Sequence, residues 1–305
     1  MSSTGYGRKL RQSLFICDRP AFKINIPDWI TVGLPMVVAR AEFVTADDML
    51  REAAHERLAE HGPITIARSG RIGPIAELIF ASLQFADQYR SVTVEGGFAA
   101  NLCKALKSGQ PFGSGYHDVA GAFPLGENNP VTSATDIWDQ WTVHAENIAK
   151  SKGLNAHVVA SLIGAMGEIQ DNVYEHSGAP QTGLVAYAVT PESFEFVVAD
   201  RGVGVLQTLR QNPSFTDVPD AGVALEEIIK DGVSRFPSET GRGQGFNQLF
   251  RSLVGQNAEL RFRSGDHALT LRPTSDALQG ETVLAQVAAL HGFAVSVFYR
   301  ANGAC

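Results

Sequence analysis

Residues 167–178 read GEIQDNVYEHSG, and they set two glutamates, an aspartate, an asparagine and a histidine inside a helical pattern of a chain that is 44% hydrophobic. At about 100° per residue, Leu162, Met166, Ile169 and Val173 fall in one narrow stripe, the core face of an amphipathic helix. Glu168, Asp171, Asn172 and Glu175 fall on another face, and Glu168 and Asn172, at i and i+4, are stacked neighbours. A polar helix face is commonly just solvated, so the meaning of this one depends on what surrounds it in the chain.

Working outward, the helix starts after Asn155, a good N-cap, and runs over 155–176. An earlier helix covers about 135–150. Two strand patterns follow, GLVAYAVT (183–190) and SFEFVVAD (193–200), joined across Pro191 and Glu192 as a hairpin. Asp200 closes the second and is followed at once by RGVG, which places a carboxylate at a strand end beside glycines that permit close backbone approach. A polar, loop-rich segment spans about 205–243. Then GRGQGFNQLF brings Gly241, Gly243 and Gly245 to the start of a helix over about 244–254, where free N–H groups and the helix dipole favour phosphate. Strands are expected near 258–264, 267–272, 281–288 and 293–299. Helices followed by antiparallel strands indicate an α+β layered sandwich.

Upstream, PITIAR (63–68), an apolar-periodic segment over 76–85, SVTVEGG (91–97) and a helical AANLCKAL make a smaller α/β unit. The Gly-, Pro- and Asn-rich stretch 109–134 reads as the boundary, dividing the chain into residues 1–130 and 131–305.

Composition narrows the function. The formal net charge is −7 and no Lys/Arg block is present, which argues against a general nucleic-acid binder. Cys17, Cys103 and Cys305 are odd in number and lack CxxC spacing, so reduced thiols in a cytoplasm are expected rather than a disulfide framework or a zinc site. The apolar part of SLFICD is shorter than a signal-peptide core, and no stretch approaches the roughly 18 apolar residues of a membrane span. A P-loop is excluded because no Gly-Lys pair occurs, and a Rossmann fingerprint because Gly241 follows the polar RFPSET instead of a strand. His55, Glu56 and His61 lack HExxH spacing and are expected on a solvated helix.

The ordered set EIQDN (Glu168 to Asn172), DRGVG (Asp200 to Gly204) and GRGQG (Gly241 to Gly245) resembles the motifs of the Bergerat-fold ATPases, the GHKL superfamily of gyrase, heat-shock chaperones, sensor histidine kinases and mismatch-repair proteins. The resemblance covers about 135–300 and implies a Bergerat-type α/β sandwich that binds ATP and Mg²⁺. It implies that Asn172 coordinates the ion through its side-chain oxygen, that Glu168 orients or deprotonates the attacking group, and that Asp200 accepts a hydrogen bond from the adenine amino group. Gly202 and Gly204 would let the base sit close. Gly241, Gly243 and Gly245 would wrap the phosphates, with Arg242 adding charge.

Within the superfamily, Glu175 stands where sensor histidine kinases commonly carry Lys or Arg. NVYEHS is closer to the anti-sigma-factor serine kinases, while EIQDN is also similar to the gyrase branch. His55 lacks the surrounding Thr and Pro of a phospho-accepting histidine box. The N-terminal unit resembles the STAS-like domains that accompany some bacterial ATP-binding regulators. The resemblance thus implies a cytoplasmic signalling ATPase or serine/histidine protein kinase with a protein partner, compatible with a homodimer. The alternative is an ATP-gated binding module without chemistry of its own.

Overall fold

The computed structural model describes residues 36–38, 42–55, 64–66, 71–84, 97–115, 117–129, 136–230, 253, 257–273 and 281–301, all within one compact unit spanning Thr31–Cys305. The expected strand SVTVEGG and the expected helix over 244–254 lie largely outside them. The fold is α+β, as the order of patterns in the sequence indicates.

Its centre is a five-stranded antiparallel sheet of β3 (Ala120–Pro124), β4 (Leu184–Thr190), β5 (Ser193–Asp200), β6 (Ala258–Arg272) and β7 (Glu281–Arg300), in the order β3-β4-β5-β7-β6. The β4–β5 hairpin closes where expected, with Thr190 opposite Ser193. β6 and β7 each join two expected strands into one, and the interruption between each pair is a register irregularity around Ser264, Gly265 and His267. A bulge keeps a strand continuous while breaking its alternation, which is why the pattern reads as two short strands.

Side-chain alternation sends the sheet's two faces into separate cores. Val185, Tyr187, Val189, Phe194, Phe196 and Val198 join one core with α4 (Ile137–Ser151), α5 (Ala156–His176), α6 (Gly204–Leu209) and α7 (Ala221–Ile228). Leu184, Ala186, Val197 and Ala199 face the other, built by α1 (Phe43–His55), α2 (Ile72–Gln84) and α3 (Gly97–Ser108). Because both faces are covered, β5 is buried along nearly its whole length and reads as a continuous apolar run. Residues 42–129, assigned from sequence to the N-terminal unit, therefore contribute β3 and an entire helical layer to this sheet. Their two short strands, β1 (Met36–Val38) and β2 (Ile64–Ile66), pair in parallel with each other.

Charge holds that layer down. The carboxylate of Glu195 on β5 accepts the N–H groups of Ile72 and Gly73, satisfying the free donors at the start of α2, and pairs with Arg71. Arg261 and Arg263 on β6 reach Glu77 of α2 at 2.9 and 2.7 Å, and each reaches Asp47 of α1 at 2.7 Å. Two guanidinium groups between two carboxylates leave each buried charge compensated, so the carboxyl of Glu77 is held below its ordinary range by the arginines despite complete burial.

The segment 205–243, expected to be loop-rich, carries α6 and α7 in its described part. Both are too short for a 3.6-residue period to stand out, but each buries apolar residues at helical spacing: Val205 with Leu209, and Ala221 with Ala224 and Leu225. Asp220 caps α7 by accepting from the Val223 N–H at 2.9 Å.

Candidate functional site

α5 begins as the sequence indicates. The Asn155 side chain accepts the N–H groups of His157 and Val158 at 2.9 and 3.2 Å, and Leu162, Met166, Ile169 and Val173 are buried against the sheet. Glu168 is exposed and Asn172 is half-buried. The polar face between them is divided in use. The Asp171 carboxylate accepts from the Asn129 amide at 2.7 Å, and Asn129 in turn accepts from the buried Gln170 amide at 3.2 Å. Asp171 thus ties down the loop after β3, while Glu168 and Asn172 make no side-chain hydrogen bond among the described residues.

At the other wall, Asp200 ends β5 almost fully buried. One carboxylate oxygen accepts the Gly202 N–H at 2.7 Å, and the Phe293 N–H also bonds to the group. Desolvation outweighs both bonds and pushes the carboxyl up to about 6. A buried acceptor is therefore poised at the strand end, ionised at neutral pH and readily neutralised below it.

The two walls meet. The Ser177 carbonyl, one residue past α5, accepts the Val203 N–H at 2.9 Å, and a Cβ on Gly202 would stand 2.0 Å from that same carbonyl oxygen. Gly202 is required by this contact between helix end and loop. Gly204 has φ +74°, a left-handed conformation natural to glycine, and a Cβ there would meet Ser264 Oγ at 2.8 Å. A side chain at either glycine would thus run into the protein's own Ser177, Ser264 or Gly292 atoms. Further ties fix the loop: the Arg201 N–H donates to Thr182 Oγ1 at 3.0 Å, and the Thr208 hydroxyl donates to the Gly204 carbonyl at 2.9 Å, with the His176 carbonyl at 3.3 Å.

The donor set bears on whether a magnesium nucleotide fits. Among the described residues no three His, Cys, Asp or Glu side chains cluster to hold a metal. Glu168 and Asn172 offer one carboxylate and one amide oxygen, which suits a hard cation that arrives with phosphate oxygens and waters better than one caged by protein alone. Gly241, Arg242, Gly243 and Gly245 lie outside the described residues, as do Glu56 and His61; His55 is the last residue of α1. Cys103 on α3 is a free thiol, half-buried. Among the described residues no helix is long and apolar enough to cross a membrane.

Sequence reasoning missed Ser177, Thr182, Ser264 and Gly292. Hydroxyls so far apart in the chain give no periodic signal, but Gly292 within an apolar strand is the kind of residue that marks a close backbone approach. No family model, curated protein or solved structure matches the chain.

Proposed function

We propose that the chain is a GHKL-type protein of Bergerat fold that binds ATP with Mg²⁺ between α5 and the 200–204 loop, and acts as a regulatory ATPase or protein kinase. The observation that carries this reading is the seam at Ser177. It brings the end of the helix bearing Glu168 and Asn172 against the loop bearing Asp200, although 28 and 32 residues separate Asn172 and Glu168 from it in the chain. The β4–β5 hairpin, which sets Ala199 opposite Leu184, returns the chain to the end of α5 and so carries Asp200 to the helix that bears Glu168 and Asn172.

Bound Mg²⁺-ATP would supply the transferable γ-phosphoryl group. The chain's own residues would do the rest. Asn172 would offer its amide oxygen to the cation, and its neutrality suits an ion already neutralised by phosphate. Asp200, ionised at pH 7, would accept from the adenine amino group and disfavour guanine, whose carbonyl would face the carboxylate. Glu168 would hold or remove the proton of the attacking hydroxyl.

One observation favours a second reading, an ATP-gated module that switches a protein partner without chemistry: Glu168 is exposed and makes no hydrogen bond or ion pair among the described residues. Calorimetric titration with a non-hydrolysable ATP analogue, with and without Mg²⁺, tests the common part, and Asn172→Ala is expected to lose the magnesium-dependent component. No binding by the wild-type protein would end both readings. Glu168→Gln then separates them. A base lowers turnover by roughly 10²- to 10⁴-fold when removed, with binding retained, whereas a switch keeps its partner-dependent response.

A further inference from the structure

We infer that Ser264 is the positioning residue of the Asp200 loop, and through that loop a determinant of which purine the site accepts. The inference rests on the nucleotide reading above. It starts at the β6 bulge, where the register with β7 shifts on either side of Gly265. Bulges re-aim side chains, and here the side chain is Ser264, buried at the floor of the glycine loop. Its hydroxyl accepts the Val205 N–H at 3.0 Å and donates to the Gly292 carbonyl at 2.9 Å.

Those two partners lie on opposite sides of Asp200. Val205 begins the chain leaving the DRGVG loop, and its N–H is one of the free donors at the start of α6. Gly292, with φ +82°, backs the loop so closely that a Cβ on it would stand 2.0 Å from the Asp200 carbonyl oxygen. The next residue, Phe293, is Asp200's register partner and donates its N–H to the carboxylate. One hydroxyl therefore ties the start of α6 to the Gly292 backstop beside the carboxylate. Without it, a buried N–H and a buried carbonyl both lose a partner, and the loop must move to satisfy them.

A loop free to move blurs the direction of the Asp200 carboxylate. A site that hydrogen-bonds its ligand rejects an analogue lacking the matching group strongly only while the site's own group is held in place. Ser264→Ala should therefore weaken ATP and leave GTP, which gains nothing from the carboxylate, nearly unchanged. The expected result is an ATP affinity reduced on the order of tenfold and an ATP-over-GTP preference reduced by the same factor.

The test is calorimetry of the full chain with Mg²⁺-ATP and Mg²⁺-GTP, on wild type, Ser264→Ala, Ser264→Thr and Ser296→Ala. Ser296 is an equally buried serine on β7 whose hydroxyl makes no hydrogen bond among the described residues, so its removal reports only the effect of a buried serine-to-alanine change. Support is loss of preference in Ser264→Ala, its recovery in Ser264→Thr, and none in Ser296→Ala. An unchanged preference in Ser264→Ala, or equal losses in Ser264→Ala and Ser296→Ala, overturns the inference while the nucleotide reading stands. A wild type that binds neither nucleotide removes that reading and this inference with it. Should Ser264→Ala not fold by circular dichroism, Ser264→Cys, with its weaker donor and acceptor, carries the same comparison.

Discussion

Replacing Asp200 with asparagine isolates the one charge that the fold buries at the end of β5. The carboxyl titrates near 3.8 when exposed and at about 6 in the folded protein, because burial opposes ionisation more than the Gly202 and Phe293 N–H groups assist it. At ~1.4 kcal/mol per pH unit, the ionised side chain costs the folded state about 3 kcal/mol. The sign follows from proton binding. Between about pH 4 and 6 the folded protein holds a proton that the unfolded chain has released, so stability falls as pH rises through that window and levels off above it. Integrated over the two titrations, about 2.5 kcal/mol of this loss lies between pH 4 and 8. The substituted amide cannot titrate, yet its oxygen can still accept from Gly202. Urea unfolding of wild type and Asp200→Asn across that range should therefore give a stability difference that moves by about 2.5 kcal/mol in favour of the variant as pH rises. Other buried carboxyls, including the raised Asp47 and Glu195, are common to both proteins and cancel. So does any constant cost of exchanging an oxygen for an amino group. Two parallel stability curves would refute the reasoning, since Asp200 would then ionise as easily folded as unfolded.

The remaining predictions draw on the same geometry. Under the nucleotide reading, ATP affinity of the wild type should weaken as pH falls below about 6, where Asp200 becomes protonated; titration at about pH 5.5 and 7.5 that gives equal affinities would separate Asp200 from the base. Gly202→Ala sets a Cβ 2.0 Å from the Ser177 carbonyl oxygen, so about 1 to 3 kcal/mol of overpacking cost is expected in urea, with hydrogen exchange faster at Val203. Glu77→Ala leaves two buried guanidinium groups short of a partner and should cost about 3 to 5 kcal/mol, while Arg51→Ala, which removes an exposed pair with Asp48, should cost under about 1 kcal/mol. Asn155→Ala removes the α5 cap and should lower the unfolding midpoint by an amount corresponding to about 1 kcal/mol.

The legible parts of the sequence are those in which local chemistry and tertiary packing ask for the same residue. Asn155 caps α5 whatever the helix packs on, and the stripe from Leu162 to Val173 needs only a sheet beneath it. The β4–β5 hairpin is likewise local. What escaped reading is non-local. Two separate requirements converge on Gly202, a turn after Asp200 and room for Ser177, and the sequence displays only the first. Glu195 reads as a polar residue in an apolar strand, and its role as the acceptor for the first N–H groups of α2 arises only when residues more than 120 apart meet. β3, inside the Gly-, Pro- and Asn-rich stretch, is a five-residue strand at the sheet edge, too short for its alternation to stand out in the sequence.

The helical layer of α1 to α3 bears on the site for a physical reason. The contact of α2 with β7 reaches the segment behind the Asp200 loop: Gln84 Oε1, at the end of α2, accepts the His291 N–H at 2.6 Å, one residue before the glycine that backs Asp200. α2 is itself fixed at its other end by Glu195 and along its length by Glu77, both buried and both paired with arginine. A helix anchored at so many charged points moves as a body or hardly at all, because shifting it singly would strip partners from buried charges. Any displacement of Gly292 by a ligand at Asp200 must therefore be absorbed by the β6–β7 hairpin or be passed to α2 as a whole. The bulge at Ser264 to His267 is the place where the hairpin can absorb it, since it is the only register break among the described strand pairs of the central sheet. Under the nucleotide reading, stiffness behind the loop and compliance beside it make the hairpin, rather than the helical layer, the first element to respond to a ligand at Asp200.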